Sequence, residues 1–175
     1  MKNLHRGDHV LVNGKLHVII TANSDDDIVY TIDVKAGSAL PQKHSYLILL
    51  EHATPAPTEG NARQLVLQTT SRFASDASKA LRDRAWKRIK PLVDDPLILD
   101  SGSRWRLIEH HGVSLKCAPT TLLRDLRRYW QNGQNEDALL GRYDRCGTTE
   151  RCGGTPRGRR TTKPGHKKFA QGPND

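Results

Sequence analysis

Cysteine and aromatic residues are scarce in this sequence of 175 residues, which has three cysteines and 5% aromatic residues. Cys117, Cys146 and Cys152 are odd in number and form no Cys-x-x-Cys motif. A disulfide framework is therefore not expected, and a reduced cytosolic setting fits better. With 35% hydrophobic residues, the chain can form modest cores but not one dense core along its full length.

Long hydrophobic runs are also missing. No stretch approaches the roughly 18 apolar residues of a membrane-spanning helix, and residues 1–12 contain no continuous apolar core of the length that a signal peptide needs. We therefore expect neither a membrane span nor a signal peptide. The sequence has no phosphate-binding loop of the P-loop type, and its cysteines and histidines lack zinc-finger spacing. We accordingly predict no cofactor and no bound metal.

Positive charge is abundant but unevenly distributed. The formal net charge of the chain is +9, but residues 1–60 have a net charge of −2, residues 61–135 of +7 and residues 136–175 of +4. A neutral-to-acidic head on a basic body indicates two modules, and the basic module is the candidate for binding a polyanion. The uneven distribution favours nucleic acid as that polyanion.

Residues 1–52 have the pattern of a small antiparallel β domain. An apolar run at 9–12 is followed by Asn13-Gly14, a strong hairpin signal because both residues readily take positive φ. Alternating apolar residues predict strands over 15–21 and 28–34. The apolar run at 46–50 is either a strand or a short helix. Three or four strands in this span predict a small barrel or curled sheet.

A linker is predicted over residues 53–64, because the stretch at 53–60 reads ATPAPTEG and its prolines hold the chain extended. Beyond the linker, the apolar period changes from 2 to 3.6, which predicts a helical domain over 65–140. Its first helix begins after Ser75, whose side chain can cap it. The basic face of this helix either is solvated or contacts phosphate, and it carries Lys79, Arg82, Arg84, Lys87 and Arg88.

A second helix is predicted over 103–111, with Trp105 and Ile108 facing inward. Gly112 stands where a C-cap glycine belongs, and Val113 is expected to fill the core under the following turn. A helix, a Gly-Val turn and a further helix bearing Thr and Arg have the order of a helix-turn-helix unit. The connection over 113–118 is longer than the usual three or four residues.

The third helix begins at Pro119, a residue suited to the first helical turn, and ends near Asn132-Gly133. As the recognition helix, it is expected to meet base edges in the major groove with its first residues and phosphate with later ones. The residues predicted to meet base edges are Thr120, Thr121 and Arg124. Those predicted on phosphate or at the edge of the site are Arg127 and Arg128, with Gln131 on the same outer stripe.

Residues 141–175 contain much Gly, Arg, Thr and Pro and few core-forming residues, so a flexible, largely disordered arm is predicted. Its sequence Pro-Arg-Gly-Arg-Arg at 156–160 differs in one position from the core of AT-hook peptides. The glycine lets the backbone approach the floor of a narrow A·T-rich minor groove. Arg157 and Arg159 are expected to enter that groove, with Arg160 beside them. The alternative is a solubilising tail.

Several segments resemble, in order, the N-terminal DNA-binding part of DDE transposases of the Mu and Tn-seven-like group, of TnsB and TniA type. These segments lie at 6–14, 32–33, 39–41, 85–93, 121–140 (with Arg-Arg-Tyr-Trp at 127–130) and 157–159. The resemblance implies a part that binds the terminal repeats at transposon ends. It also implies an RNase H-like catalytic domain, for which the remaining residues are too few. No cleavage or joining of DNA by this chain alone is therefore expected.

The sequence thus predicts an α+β protein, with a small N-terminal antiparallel β domain, a three-helix helix-turn-helix domain and a basic arm. The expected function is sequence-specific binding of double-stranded DNA, in the cytoplasm and at the bacterial nucleoid. One alternative is a protein-interaction module that recruits other transposition proteins. Another is an RNA-binding protein, although the chain lacks the aromatic-rich sheet motif of the usual RNA platforms.

Overall fold

The computed structural model describes residues 3–52, 54–55 and 74–140, and the predicted arm over 141–175 lies outside them. The described residues have the predicted α+β architecture. The strands are β1 (His9–Val12), β2 (Lys15–Asn23), β3 (Ile28–Asp33), β4 (Gln42–His44) and β5 (Thr54–Pro55). The α-helices are α1 (Tyr46–His52), α2 (Asp76–Val93), α3 (Ser101–Leu115) and α4 (Pro119–Gln131), and short 3-10 helices span Pro96–Leu99 and Glu136–Leu139.

The five strands form one antiparallel sheet in the order β4-β3-β2-β1-β5. The hairpin between β1 and β2 is confirmed, since Asn13 has a φ of 51° and Gly14 a φ of 74°. Strand β5 pairs with β1, although its residues fall in the predicted linker. Alternation along β2 gives the sheet two buried faces, with Val18 in one cluster and Ile19 in the other.

The smaller cluster forms between one face of the sheet and α1, which settles residues 46–50 as helical. Tyr46 and Leu49 of α1 pack there with Val29. Asp27 holds the start of the helix, because its carboxylate accepts hydrogen bonds from the backbone N–H of Leu47 and from the hydroxyl of Ser45. These bonds lower the pKa of Asp27, that from Leu47 most strongly.

The larger cluster joins the other face of the sheet to the helices. Its fully buried members include Ile32 from the sheet, Ile89 from α2 and Ile108 from α3. Since one core holds both parts, the sheet packs directly on the helical bundle within a single compact unit. The division into domains at 1–52 and 65–140 stays a prediction.

Helix α2 begins where the sequence predicted, since Ser75 accepts a hydrogen bond from the Ser78 backbone N–H at 3.3 Å. Helix α3 is longer than predicted, because the left-handed residue that ends it is Lys116, with a φ of 52°. The assignment of Gly112 as the C-cap was therefore wrong, and Gly112 lies buried inside the helix. Trp105 and Val113 were wrongly placed in the core and are 48% and 81% exposed.

In the part of the chain that the structure describes, no helix is long and apolar enough to cross a membrane. Within the same residues, no three His, Cys, Asp or Glu side chains are grouped so that they could hold a metal ion.

Candidate nucleic-acid interface

The turn between α3 and α4 consists of Lys116, Cys117 and Ala118, so it has the three-residue length of a helix-turn-helix unit. The longer connection expected from the sequence was wrong, because α3 continues to Leu115. Gly112 makes the tight turn possible. A Cβ atom at this position would lie 2.8 Å from the carbonyl oxygen of Cys117, closer than such atoms can approach.

Helix α4 is strongly amphipathic and starts at Pro119, as predicted. Its buried face contains Leu122, Asp125, Leu126, Tyr129 and Trp130. Since successive residues of a helix are 100° apart, this face leaves a ridge on the opposite side that begins in the first turn. The ridge is the surface available to a binding partner.

Three predicted DNA contacts form a continuous row on that ridge. Thr120, Arg124 and Arg128 follow one another at intervals of four residues, and all three are exposed. Thr121 lies beside them and is partly exposed. The row starts at the N-terminal end of α4, the part of a recognition helix that contacts base edges in known helix-turn-helix complexes.

Two other residues predicted to contact DNA, Arg127 and Gln131, donate hydrogen bonds to backbone carbonyls at the end of β3 and in the segment that follows it. Arg127 Nε donates to the carbonyl oxygen of Ala39 at 2.9 Å. Gln131 Nε2 donates to the carbonyl oxygens of Asp33 at 2.7 Å and Ala36 at 2.9 Å. Both side chains therefore hold the C-terminal half of α4 against the turn that follows β3. Their role on DNA stays a prediction, as does that of Arg157, Arg159 and Arg160, which lie outside the described residues.

A buried carboxylate lies next to the row and was missed by the sequence analysis. The side chain of Asp125 is 3% exposed and accepts a hydrogen bond from Arg88 Nη2 of α2 at 2.8 Å. Its other oxygen lies 3.6 Å from Arg124 Nε. The signal for this pairing was an acidic residue on the apolar stripe of α4, three residues after Leu122. One carboxylate thus holds Arg88 of α2 by a hydrogen bond and lies within ion-pair distance of Arg124 of α4.

Some basic residues of α2 are paired with carboxylates and others are not. Arg82 is bonded to the carboxylates of Asp83 at 2.9 Å and Asp137 at 2.7 Å. The hydrogen bond with Asp83 is the main reason that the pKa of Arg82 is raised. Arg84 and Lys87 are exposed, and no ion pair joins either of them to another described residue. Their charges face solvent.

Arg104 is a second residue that was missed from the sequence, and it joins the sheet to the helical bundle. Arg104 of α3 is 5% exposed and donates to the carbonyl oxygens of Ile98 at 3.0 Å and Pro41 at 3.1 Å. It also donates to the carbonyl oxygen of Leu99. Burial lowers the pKa of Arg104 from its usual value, and the charge of Asp100 opposes that shift. These bonds position α3 relative to the segment that enters β4.

A short turn, a recognition-type helix and an exposed row of Thr and Arg define a helix-turn-helix protein whose bundle is packed on a sheet. Residues 82–143 match the family model described as the TnsB second domain. The chain is also 28% identical over 131 residues to the transposon Tn7 transposition protein TnsB of Escherichia coli. That alignment covers 73% of this chain and 18% of the relative. These comparisons confirm the resemblance to the TnsB-type transposases.

Proposed function

We propose that this chain binds double-stranded DNA sequence-specifically at the ends of a transposon, as the DNA-binding part of a transposase. The observation that carries the proposal is the exposed row Thr120, Arg124 and Arg128 on the second helix of a helix-turn-helix unit. The match of residues 82–143 to the TnsB second domain supports the same function. Other transposition proteins are proposed as partners on the same ground.

The contacts divide by their position on α4. Thr120, Thr121 and Arg124 lie in its first two turns and are proposed to meet base edges. Arg128, one turn further on, is proposed to contact phosphate. Arg127 uses Nε for its bond to Ala39, and an arginine has four further N–H donors, so a phosphate contact is compatible with that bond.

The test compares Arg124→Ala with Arg128→Ala on the duplex that the full chain selects from a random pool and on unselected duplex. Arg124→Ala should weaken binding to the selected site by about 1–3 kcal/mol and much less on unselected DNA. Arg128→Ala should weaken both by similar factors, because phosphates carry no sequence information. Equal losses from both variants on both duplexes would reduce α4 to a non-specific basic surface. With magnesium present, the duplex should be recovered uncut.

Residues 157–160 are proposed to add a contact in the adjacent minor groove. Two guanidinium groups separated by glycine can follow the floor of a narrow A·T-rich groove, where the negative potential is concentrated. The double variant Arg157→Ala and Arg159→Ala should lower affinity without changing the melting of the chain. In the unmodified chain, replacing flanking A·T pairs by inosine·cytosine keeps the minor-groove pattern and should preserve binding. Loss of the contribution of the arm after that replacement would mean that it reads the major groove.

A further inference from the structure

The charges of α2 and α4 meet at the surface beside the recognition helix. Arg88 and Arg124 lie on either side of the Asp125 carboxylate, at 2.8 Å and 3.6 Å from its two oxygens. Without this carboxylate the two guanidinium groups would repel each other at close range. Asp125 therefore allows two positive side chains to share one place on the surface of the free protein.

Each of these arginines has an exposed arginine one helical turn away. Arg84 precedes Arg88 by four residues on α2, and Arg128 follows Arg124 by four residues on α4. The pairings across the contact show that the two helices run in opposite directions. Arg88 pairs with Asp125, whereas the earlier residue Trp86 stacks on the later residue Tyr129, with the ring centroids 5.4 Å apart. Arg84 and Arg128 thus lie toward the same end of the contact. We call these four residues the arginine rows.

The arginine rows carry more positive charge than the structure neutralises. Asp125 contributes one negative charge to four arginines, and its side chain is 3% exposed, so it projects little charge into solvent. By contrast, Arg82 on the same helix is held by two carboxylates. The structure therefore separates Arg82, whose charge is neutralised locally, from Arg84 and Arg128, which are exposed and form no ion pair with another described residue.

We propose that Arg84, Arg88 and Arg128 of the arginine rows bind the phosphate backbone of one DNA strand next to the groove entered by α4, while Arg124 meets base edges in that groove. Helix α2 is then part of the DNA-binding surface. Asp125 acts as a positioning residue that orients Arg88 and Arg124 toward the DNA. The proposal rests on the proposed function and deepens it. Arginine suits this ligand, because its planar donors bind phosphate oxygens in pairs.

Salt dependence distinguishes a phosphate contact from a general effect of charge. Each phosphate neutralised by the protein contributes about −0.9 to the slope of log K against log salt on duplex DNA. Arg84→Ala in the full chain should therefore make the slope shallower by about one, and should weaken binding to selected and unselected duplex by the same factor. Arg128→Ala should behave in the same way, and the double variant should change the slope by about two.

Arg82→Ala is the matched control, because it removes one positive charge from the same helix. Its guanidinium group is already paired, so the slope should stay at the value of the unsubstituted chain. Equal changes for Arg82→Ala and Arg84→Ala would overturn the proposal by showing that only net charge matters. An unchanged slope in Arg84→Ala, with the unsubstituted chain still selecting its site, would also overturn it while leaving the proposed function intact. Failure of the unsubstituted chain to bind duplex would instead contradict the proposed function.

Asp125→Asn tests the positioning role separately. The amide keeps the shape of the side chain and loses its charge, so Arg88 and Arg124 are no longer drawn together. The expected result is reduced discrimination between selected and unselected duplex, with a slope no shallower than before because no positive charge is lost. Melting of each variant by circular dichroism identifies any loss of fold. Unchanged discrimination in a folded Asp125→Asn variant would contradict the positioning role.

Discussion

Replacing Arg104 by methionine should lower the free energy of unfolding by about 3 kcal/mol. Each buried carbonyl that loses its charged donor costs about 1.5–3 kcal/mol. Part of that summed cost is offset, because the variant no longer buries a positive charge. Arg104 is 5% exposed and its donors reach carbonyl oxygens of Ile98, Leu99 and Pro41. Methionine fills similar space but donates no hydrogen bond. The carbonyl of Pro41 belongs to the segment before β4, so losing its hydrogen bond should weaken the packing of the sheet on the helical bundle.

Urea unfolding followed by circular dichroism measures this effect. Arg106→Met is the matched control, because Arg106 is an exposed arginine two residues further along the same helix. Its replacement should change stability by less than about 0.5 kcal/mol, as is usual for surface substitutions. Similar losses in the two variants would contradict the role of Arg104 as a buried donor. An Arg104→Met variant as stable as the unsubstituted chain would contradict that role too.

The sequence predicted those features that depend on neighbours close in the chain. The Asn13-Gly14 hairpin, the cap at Ser75 and the start of α4 at Pro119 follow from local backbone preferences, and all three are confirmed. The α+β class follows from the change of apolar period along the chain. Such signals act over a few residues and need no knowledge of the folded structure.

The partners of the polar residues on α4 could not be predicted in the same way. Helical periodicity shows that Arg127 and Gln131 point away from the buried face of their own helix. It does not show that the turn after β3 covers the end of that helix, where the carbonyls of Asp33 and Ala36 accept from Gln131. Contacts between residues nearly a hundred positions apart depend on how the sheet packs on the bundle. Two residues of the predicted DNA-binding stripe, Arg127 and Gln131, therefore form hydrogen bonds within the protein.

Gly112 was misread because two different requirements select glycine at the end of a helix. A C-cap needs a positive φ, and a close approach of backbone needs the absence of a Cβ atom. Here the first requirement is met by Lys116, with a φ of 52°, and the second by Gly112. The sequence shows the glycine but not which requirement it meets. The distinction decides where α3 ends, and so how long the turn is before α4.

The same contact leads to the last prediction, which concerns Gly112→Val. In an ordinary helix, replacing glycine by alanine gains up to about 1 kcal/mol, but here even the first carbon would lie 2.8 Å from the Cys117 carbonyl oxygen. The branched valine should cost about 3 kcal/mol, at the upper end for overpacking, and Gly112→Ala about 1 kcal/mol. Both should lower stability, which reverses the sign expected from helix propensity.

The substitution should also change DNA binding in a specific way. The carbonyl of Cys117 and the side chains of Pro119 and Leu122 surround the added group, with Pro119 Cγ at 3.6 Å and Leu122 Cδ1 at 3.7 Å. Moving them displaces the first turn of α4, where Thr120 and Arg124 lie. Under conditions where the variant remains folded, affinity for the selected duplex should fall more than affinity for unselected duplex, because base contacts tolerate displacement less than phosphate contacts. Gly102→Ala is the control on the same helix, since an added carbon there meets only the Asp100 side chain, at 3.3 Å. If Gly112→Val kept both its stability and its preference for the selected duplex, the tight turn would not position the recognition helix.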